Sequence, residues 1–150
     1  MRNRTLKFRA WSYTESKFYT RVLVGDTETD DPCSSVWNDE KKEWVHFDKH
    51  CGVIQQFTGL KDKNSKEIYE GDILEIQRSE KDNAFKKYSQ VGVVDFSTGT
   101  FSFYPKGSDN ENYYTFIGFH ELFHYNEKHL GYYAPKIIGN VFENSELLKQ

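Results

Sequence analysis

Several common building materials are scarce in this sequence. Of its 150 residues only 3 are proline, 2 are cysteine and 1 is methionine. Two cysteines, Cys33 and Cys51, do not make a disulfide framework, and they fit a reducing compartment. No apolar run approaches the roughly 18 residues that a membrane-spanning helix needs. The start, MRNRTLKFRAW, carries charges but no apolar signal-peptide core. A cytoplasmic protein that does not enter a membrane is therefore expected. A G-x-S-x-G elbow, a phosphate-binding glycine loop and a dinucleotide fingerprint are all missing. With a net charge of -3 and a pI of about 6.0, the chain also lacks the overall basic excess that draws proteins to nucleic acid or anionic membranes.

Aromatic residues are abundant instead: 12 Phe, 10 Tyr and 3 Trp, about as many as Ile, Leu and Val together. They favour half-buried pleated surfaces, and tyrosine keeps a wettable tip, so a mean hydropathy of -0.80 is compatible with a modest core. Charge is uneven. Arg2, Arg4, Lys7 and Arg9 form a basic arm, and Asp26, Glu28, Asp30, Asp31, Asp39, Glu40 and Glu43 an acidic stretch. Solvated strand edge and solvated loop explain both.

Alternation places strands along most of the chain. TLKFRAW and KFYTRVLVG form a hairpin around SYTES; residues 25–40 read as a long polar loop; KEWVHFD and GVIQQFTG are two further strands. Asp62 to Lys66 is a turn, Gly71-Asp72 a second bend, and ILEIQ a strand. Residues 78–90 read as a charged excursion, with Phe85, Lys86, Lys87 and Tyr88 offering rings beside cations of the kind that suit single-stranded nucleic acid. VGVVDF and TFSFYP pair around Ser97-Thr98-Gly99, with Gly92 suggesting a bulge. FHELFHYNEKHL reads as a helix of about three turns, KIIGNVFE as a closing strand, and residues 144–150 as a helical tail capped by Asn144. The fold expected is mainly β: antiparallel strands including a small SH3-like barrel, or a plain meander of the same strands, with one or two short helices. One domain over 1–150 is expected, with subdomains 1–60 and 61–150.

Two constellations test for metal chemistry. His120-Glu121-Leu122-Phe123-His124 matches HExxH, in which two histidines on one helix face share zinc and the glutamate activates water. The continuation fails: Glu127 stands where a glycine is wanted and Leu130 where the third histidine belongs. A helix burying Phe119, Leu122 and Phe123 accounts for the same residues, so a zinc-dependent hydrolase is the lesser alternative. Cys33, His46, His50 and Cys51 include a His-x3-His spacing, but a zinc finger wants a close cysteine pair before it, and Cys33 is alone. Glu70, Asp72 and Glu75 cluster in sequence without an identifiable partner. No catalytic, cofactor-binding or metal residues are assigned.

KFRAW at the start, QQFTGLKDKNSKEIYEGDILE in the middle and IIGNVFENSELL at the end resemble the YopX-like phage protein family. Gln56, Thr58, Gly59, Asp62, Glu67, Ile68, Tyr69, Gly71 and Asp72 fall on its central motif. Members usually carry glycine where Ser65 stands, which points to Asn64 as the left-handed residue of that turn. HELFH lies in a variable region, and residues 25–50 lie outside the shared pattern. The resemblance implies a phage- or prophage-encoded protein acting in the bacterial host cytoplasm, and it supplies no catalytic residues. The function expected is a non-enzymatic binding or regulatory module. A host or phage protein is the favoured partner, nucleic acid the alternative, and self-association through open strand edges a further expectation.

Overall fold

A computed structural model of the chain describes residues 5–25, 34–80, 83–97, 99–107, 117–118 and 135–149. Antiparallel strands dominate. The chain divides into two compact units, Met1–Gly59 and Leu60–Gln150.

In the first unit, β1 (Phe8–Ser12) lies between β2 (Lys17–Tyr19) and the first part of β6 (Gly52–Lys61). β3 (Val22–Val24), β4 (Ser34–Asn38) and β5 (Glu43–Phe47) form a separate three-stranded sheet in that order. Period-2 alternation sends Ala10, Tyr19, Val36 and Phe47 into one core, with Val22, Val45, Cys51 and Ile54 packed against them. The segment KFYTRVLVG, expected as one strand, is two. It breaks at Thr20-Arg21, because Tyr19 pairs with Ala10 while Val22 pairs with Val36 of the other sheet. Residues 25–40 are likewise not one loop, since 34–38 is β4, hairpinned to β5. Asn38 makes that hairpin: its side-chain oxygen accepts the amides of Glu40 and Lys41, each at 3.0 Å.

The second unit begins with the end of β6, turns at 62–66 into β7 (Glu67–Tyr69), and continues as β8 (Asp72–Glu80), β9 (Asn83–Ser97), β10 (Thr100–Pro105), β11 (Ile117–Gly118) and β12 (Lys136–Asn140). Its main sheet runs β11-β10-β9-β8-β12 and curls into a half-barrel. Ile68, Leu74, Ile76, Val94, Phe101 and Phe103 fill the core, with Leu60 and Ile137 packed on it. The charged stretch 78–90 is not an excursion. Arg78 pairs with Tyr88 and Ser79 with Lys87, so β8 and β9 continue as a two-stranded ribbon. Gly92 does not mark a bulge either. The register runs unbroken through Ile73–Val93, Leu74–Gly92 and Glu75–Val91, and glycine is required there by close approach of β10.

The central motif is a set of backbone pins. The Asp62 carboxylate, only 6% exposed, accepts the amides of Asn64 (2.8 Å) and Lys66 (2.9 Å) on one oxygen and that of Ile137 (3.2 Å) on the other. Burial pushes its pKa up, but the amide bonds from Lys66, Ile137 and Asn64 outweigh it, and the net shift is downward. Asp72, buried in the second bend, accepts the Tyr69 amide at 2.8 Å and the Asn140 side-chain amide at 3.4 Å. Gly71, at a φ of 72° that suits glycine, donates to the Val94 carbonyl and accepts from Val141, tying the bend to β9 and to the residue after β12.

The left-handed residue of the 62–66 turn is Ser65, at φ 65°, rather than Asn64, whose side chain and amide are turned onto Asp62. A side chain in that region costs about 1–2 kcal/mol, against about 0.5–1 kcal/mol of extra chain entropy for glycine. Ser65→Gly is therefore expected to stabilise the protein by about 0.5–1 kcal/mol, measured by denaturant unfolding. At the other end, Ser145–Leu148 is a single 3-10 turn. Asn144 precedes it without a side-chain cap bond, and its carboxamide oxygen instead accepts the amide of Asn140 at 3.3 Å. The segment expected to form a three-turn helix, FHELFHYNEKHL, lies outside the described residues.

Candidate binding surface

Residues that alternate away from the core of the β3-β4-β5 sheet form its outward face. Trp37 and Trp44 are cross-strand partners there, their rings edge to face at 5.6 Å. Ser35 lies between Leu23 and His46 on the same face. Leu23 is 54% exposed and Trp44 41%, so two large apolar groups of this face stand in solvent, one on each of the strands that flank β4. Arg21, in the chain break between β2 and β3, is held to β4 by its carbonyl, which accepts the Trp37 amide at 3.0 Å. Its guanidinium then lies 4.4 Å from the centre of the Trp37 ring and 5.9 Å from that of Trp44. No carboxylate among the described residues pairs with it. The planar fork of this arginine is thus oriented by stacking and open along its N–H edge.

Beside it a cleft of about 190 Å³ is lined by residues that include Lys17, Tyr19, Arg21, Trp37, Asp39 and Glu40. Its walls are fixed by local bonds. The Trp37 indole donates to Asp39 at 3.0 Å, and the Tyr19 hydroxyl donates to Glu15 at 2.7 Å while Lys17 pairs with the same carboxylate. Glu15 is held below the usual carboxylate range by the hydrogen bonds from Lys17 and Tyr19. The cleft is smaller than the roughly 300–1,000 Å³ of cofactor and drug-sized sites, and has room for one inserted side chain. It presents rings and fixed charges without a nucleophile–base pair.

The residues singled out for metal chemistry are not gathered. His120, Glu121, His124 and Cys33 lie outside the described residues. His46 is on the outward face of β5, 3.5 Å from Asp48, whereas His50 and Cys51 are in the turn that follows. Asp48 organises that turn by accepting the amides of His50 (2.8 Å) and Cys51 (3.0 Å), and the bonds from Cys51 and His50 lower its pKa to about 2. Cys51 packs toward the core. Among the described residues no three His, Cys, Asp or Glu side chains converge on a metal position. Asp72 is consumed by the bend, and Glu75 accepts the Ser89 hydroxyl at 2.7 Å. Of the basic arm, Lys7 lies over Phe57 at 5.6 Å, while Arg9 lies over Phe18 at 4.4 Å and donates to Gln55 at 2.7 Å. Sequence inspection passed over the Arg21–Trp37–Trp44 cluster. Its only signal was Trp37 and Trp44 seven residues apart around a D-E-K-K turn, which is hairpin spacing once 34–38 is taken as a strand.

The comparisons with known proteins agree on the fold and are silent on activity. No helix among the described residues is long and apolar enough to cross a membrane. No curated protein matches the chain. The crystal structure of protein EF1440 from Enterococcus faecalis superposes with a TM-score of 0.59 at 24% identity, covering 98% of this chain and 100% of that one. The family model described as YopX protein matches residues 7–149, and the chain belongs to that family.

Proposed function

We propose that the protein is a non-enzymatic binding module, encoded by a phage or prophage, that acts in the host cytoplasm on a host or phage protein. The observation that carries this is the outward face of the β3-β4-β5 sheet, where the Trp37–Trp44 pair with its stacked Arg21 shares one face with exposed Leu23. Tryptophan, tyrosine and arginine dominate binding energy at protein interfaces, because each joins a large apolar area to a directional donor. The neighbouring cleft fits a single anchoring side chain from the partner. The acidic balance of the chain favours a protein over a polyanion at this face. The curled sheet of the second unit is the SH3-like element of the proposal.

The test is a tagged pull-down from phage-infected host cells, run with and without nuclease, comparing wild type with Trp44→Ala and Arg21→Ala. A defined protein retained after nuclease is expected, with capture reduced about tenfold or more by Trp44→Ala, an interface anchor of about 1.4 kcal/mol or more. Because Trp44 is largely outside the core, its thermal unfolding is expected to stay close to wild type. Capture that is equal in wild type and both variants overturns the proposal.

A further inference from the structure

β5 (Glu43–Phe47) is an edge strand of the sheet that carries Trp37 and Trp44, and one side of it is unused. The direction of its main-chain groups follows from β4. The Trp37 amide bonds to the Arg21 carbonyl, on the β3 side, at 3.0 Å. In an antiparallel strand the N–H and C=O of one residue point the same way, and successive residues point opposite ways. Ser34, Val36 and Asn38 therefore address β5, where register sets them against Phe47, Val45 and Glu43. Trp44 and His46 are left with their main-chain groups aimed away from β4. Among the described residues, no hydrogen bond reaches the amide or carbonyl of either.

The other sheet edges among the described residues are short or guarded. β2, β3 and β7 have three residues each and β11 has two. β12 carries a register shift between Ile137 and Gly139, and its Ile137 amide is taken by the Asp62 carboxylate. β5 has five residues in unbroken register, and neither proline nor lysine among them. Shortness, bulges, prolines and lysines are the usual devices against strand addition. Here they are missing.

We propose, resting on the reading of this sheet as the partner-facing one, that β5 receives an extended segment of the partner protein as an added antiparallel strand. In this mode main-chain bonds give affinity and alternate side chains give specificity. Glu43, Val45 and Phe47 share one side of β5 by alternation, and are exposed, half-buried and buried in that order. A partner strand completes that side with a lysine or arginine opposite Glu43 and apolar residues opposite Val45 and Phe47. On the other side, the residue opposite Trp44 packs on a half-open indole. Five residues make a ladder of about 17 Å, the length of a peptide. That is far less than the roughly 1,200–2,000 Å² of a stable interface between folded proteins. A second copy of this chain is the wrong occupant. Two-fold pairing about Val45 would set each Glu43 carboxylate opposite the other copy's Phe47, which is only 3% exposed.

The test is selection of a random heptapeptide library on the purified full chain, then fluorescence anisotropy with the enriched peptide. Enriched sequences are expected to read apolar–x–apolar–x–basic. Methylating the peptide's backbone nitrogens one at a time should weaken binding about tenfold or more at alternate positions only, because alternate amides face β5. This series leaves the protein untouched. His46→Pro removes an outward N–H and spares the ladder to β4. It should unfold cooperatively and bind about tenfold or more weakly, whereas His46→Thr, which changes the side chain and keeps the N–H, should bind like wild type. The proposal is overturned by a library without enrichment, by methylation effects that do not alternate, or by equal binding of the two His46 variants. Dimerisation in light scattering that His46→Pro abolishes would assign the edge to a second copy and overturn it as well. Peptides that bind His46→Pro fully but lose Trp44→Ala would keep the aromatic face and remove strand addition, so the two readings fail separately.

Discussion

Replacing Asp62 by alanine is expected to destabilise the protein by about 2–3 kcal/mol, a large loss for a residue outside the apolar core. Its carboxylate accepts three backbone amides. Those of Asn64 and Lys66 belong to exposed residues that water can serve. The amide of Ile137 is part-buried in β12, and leaving such a donor unmet costs about 1–3 kcal/mol. The bonds to Asn64 and Lys66 also hold the turn that carries Ser65 in its left-handed conformation. Acid dependence supplies a second measurement. The folded-state pKa of Asp62 is lowered from its ordinary value near 3.8. Its contribution is therefore complete above that ordinary value and is lost as pH falls through the lowered folded one. Wild type should lose stability across that acid window more steeply than Asp62→Ala. Urea unfolding at neutral pH and again below pH 4 measures both effects.

Gly92→Ala should be more damaging still. An added methyl would run into the carbonyl oxygen of Tyr104 and come within 2.5 Å and 2.8 Å of two carbons of the Phe103 ring. Neither obstacle can yield cheaply. The carbonyl is part of the β9–β10 ladder, in which Tyr104 pairs with Val93, and Phe103 is fully buried at the centre of the second core. Overpacking of this kind typically costs about 1–3 kcal/mol, and a backbone collision adds to it, so a loss of about 3 kcal/mol or more is expected. Thermal unfolding should drop by about 10 °C or more, or the variant should fail to accumulate as folded protein. Phe103→Leu in the Gly92→Ala background should restore part of the loss by withdrawing the ring, although the clash with the carbonyl remains.

Alternation alone located much of the architecture. GVIQQFTG, ILEIQ, VGVVDF and TFSFYP are strands because each places β-branched or aromatic residues on one face between turn formers, whereas of KIIGNVFE only Lys136–Asn140 is strand and the last three residues turn. Where alternation misled, partner choice was the reason. KFYTRVLVG reads as one strand, yet its halves pair with β1 and β4, and no local pattern reports a change of sheet. Ser34–Asn38 was hidden by its acidic flank. The ribbon was hidden because two exposed strands bury nothing, and alternation of apolar with polar residues is then absent. Gly92 looked like a bulge because a strand glycine has two common causes, bend and close approach, and only the position of Phe103 distinguishes them. The pins of the central motif were partly legible, since Asp62 and Asp72 are turn residues by type. Asp62 reaching an amide 75 residues away was not. The candidate surface was the least legible part, because Arg21 meets Trp37 and Trp44 through the sheet change that the sequence conceals.

The order in which strands find partners bears on how the chain becomes folded during synthesis. Phe8–Ser12 of β1 pairs on one side with Gly52–Gln56, and every strand of the first unit from β2 to β5 lies between these segments in the chain. In the second unit Asp72–Glu75 waits in the same way for Lys136–Asn140. Each half is therefore a clasp fastened by its last strand. Hairpins such as β4–β5 close over a few residues and can form as soon as they leave the ribosome, but the long-separation ladders pay loop-closure entropy before any contact is made. Until the final strand of each half emerges, the flank of β1 and then that of β8 are unpaired edges, open to any other extended chain nearby. A rapidly translated, highly expressed copy of this protein would meet its main hazard in that interval, from pairing between nascent chains.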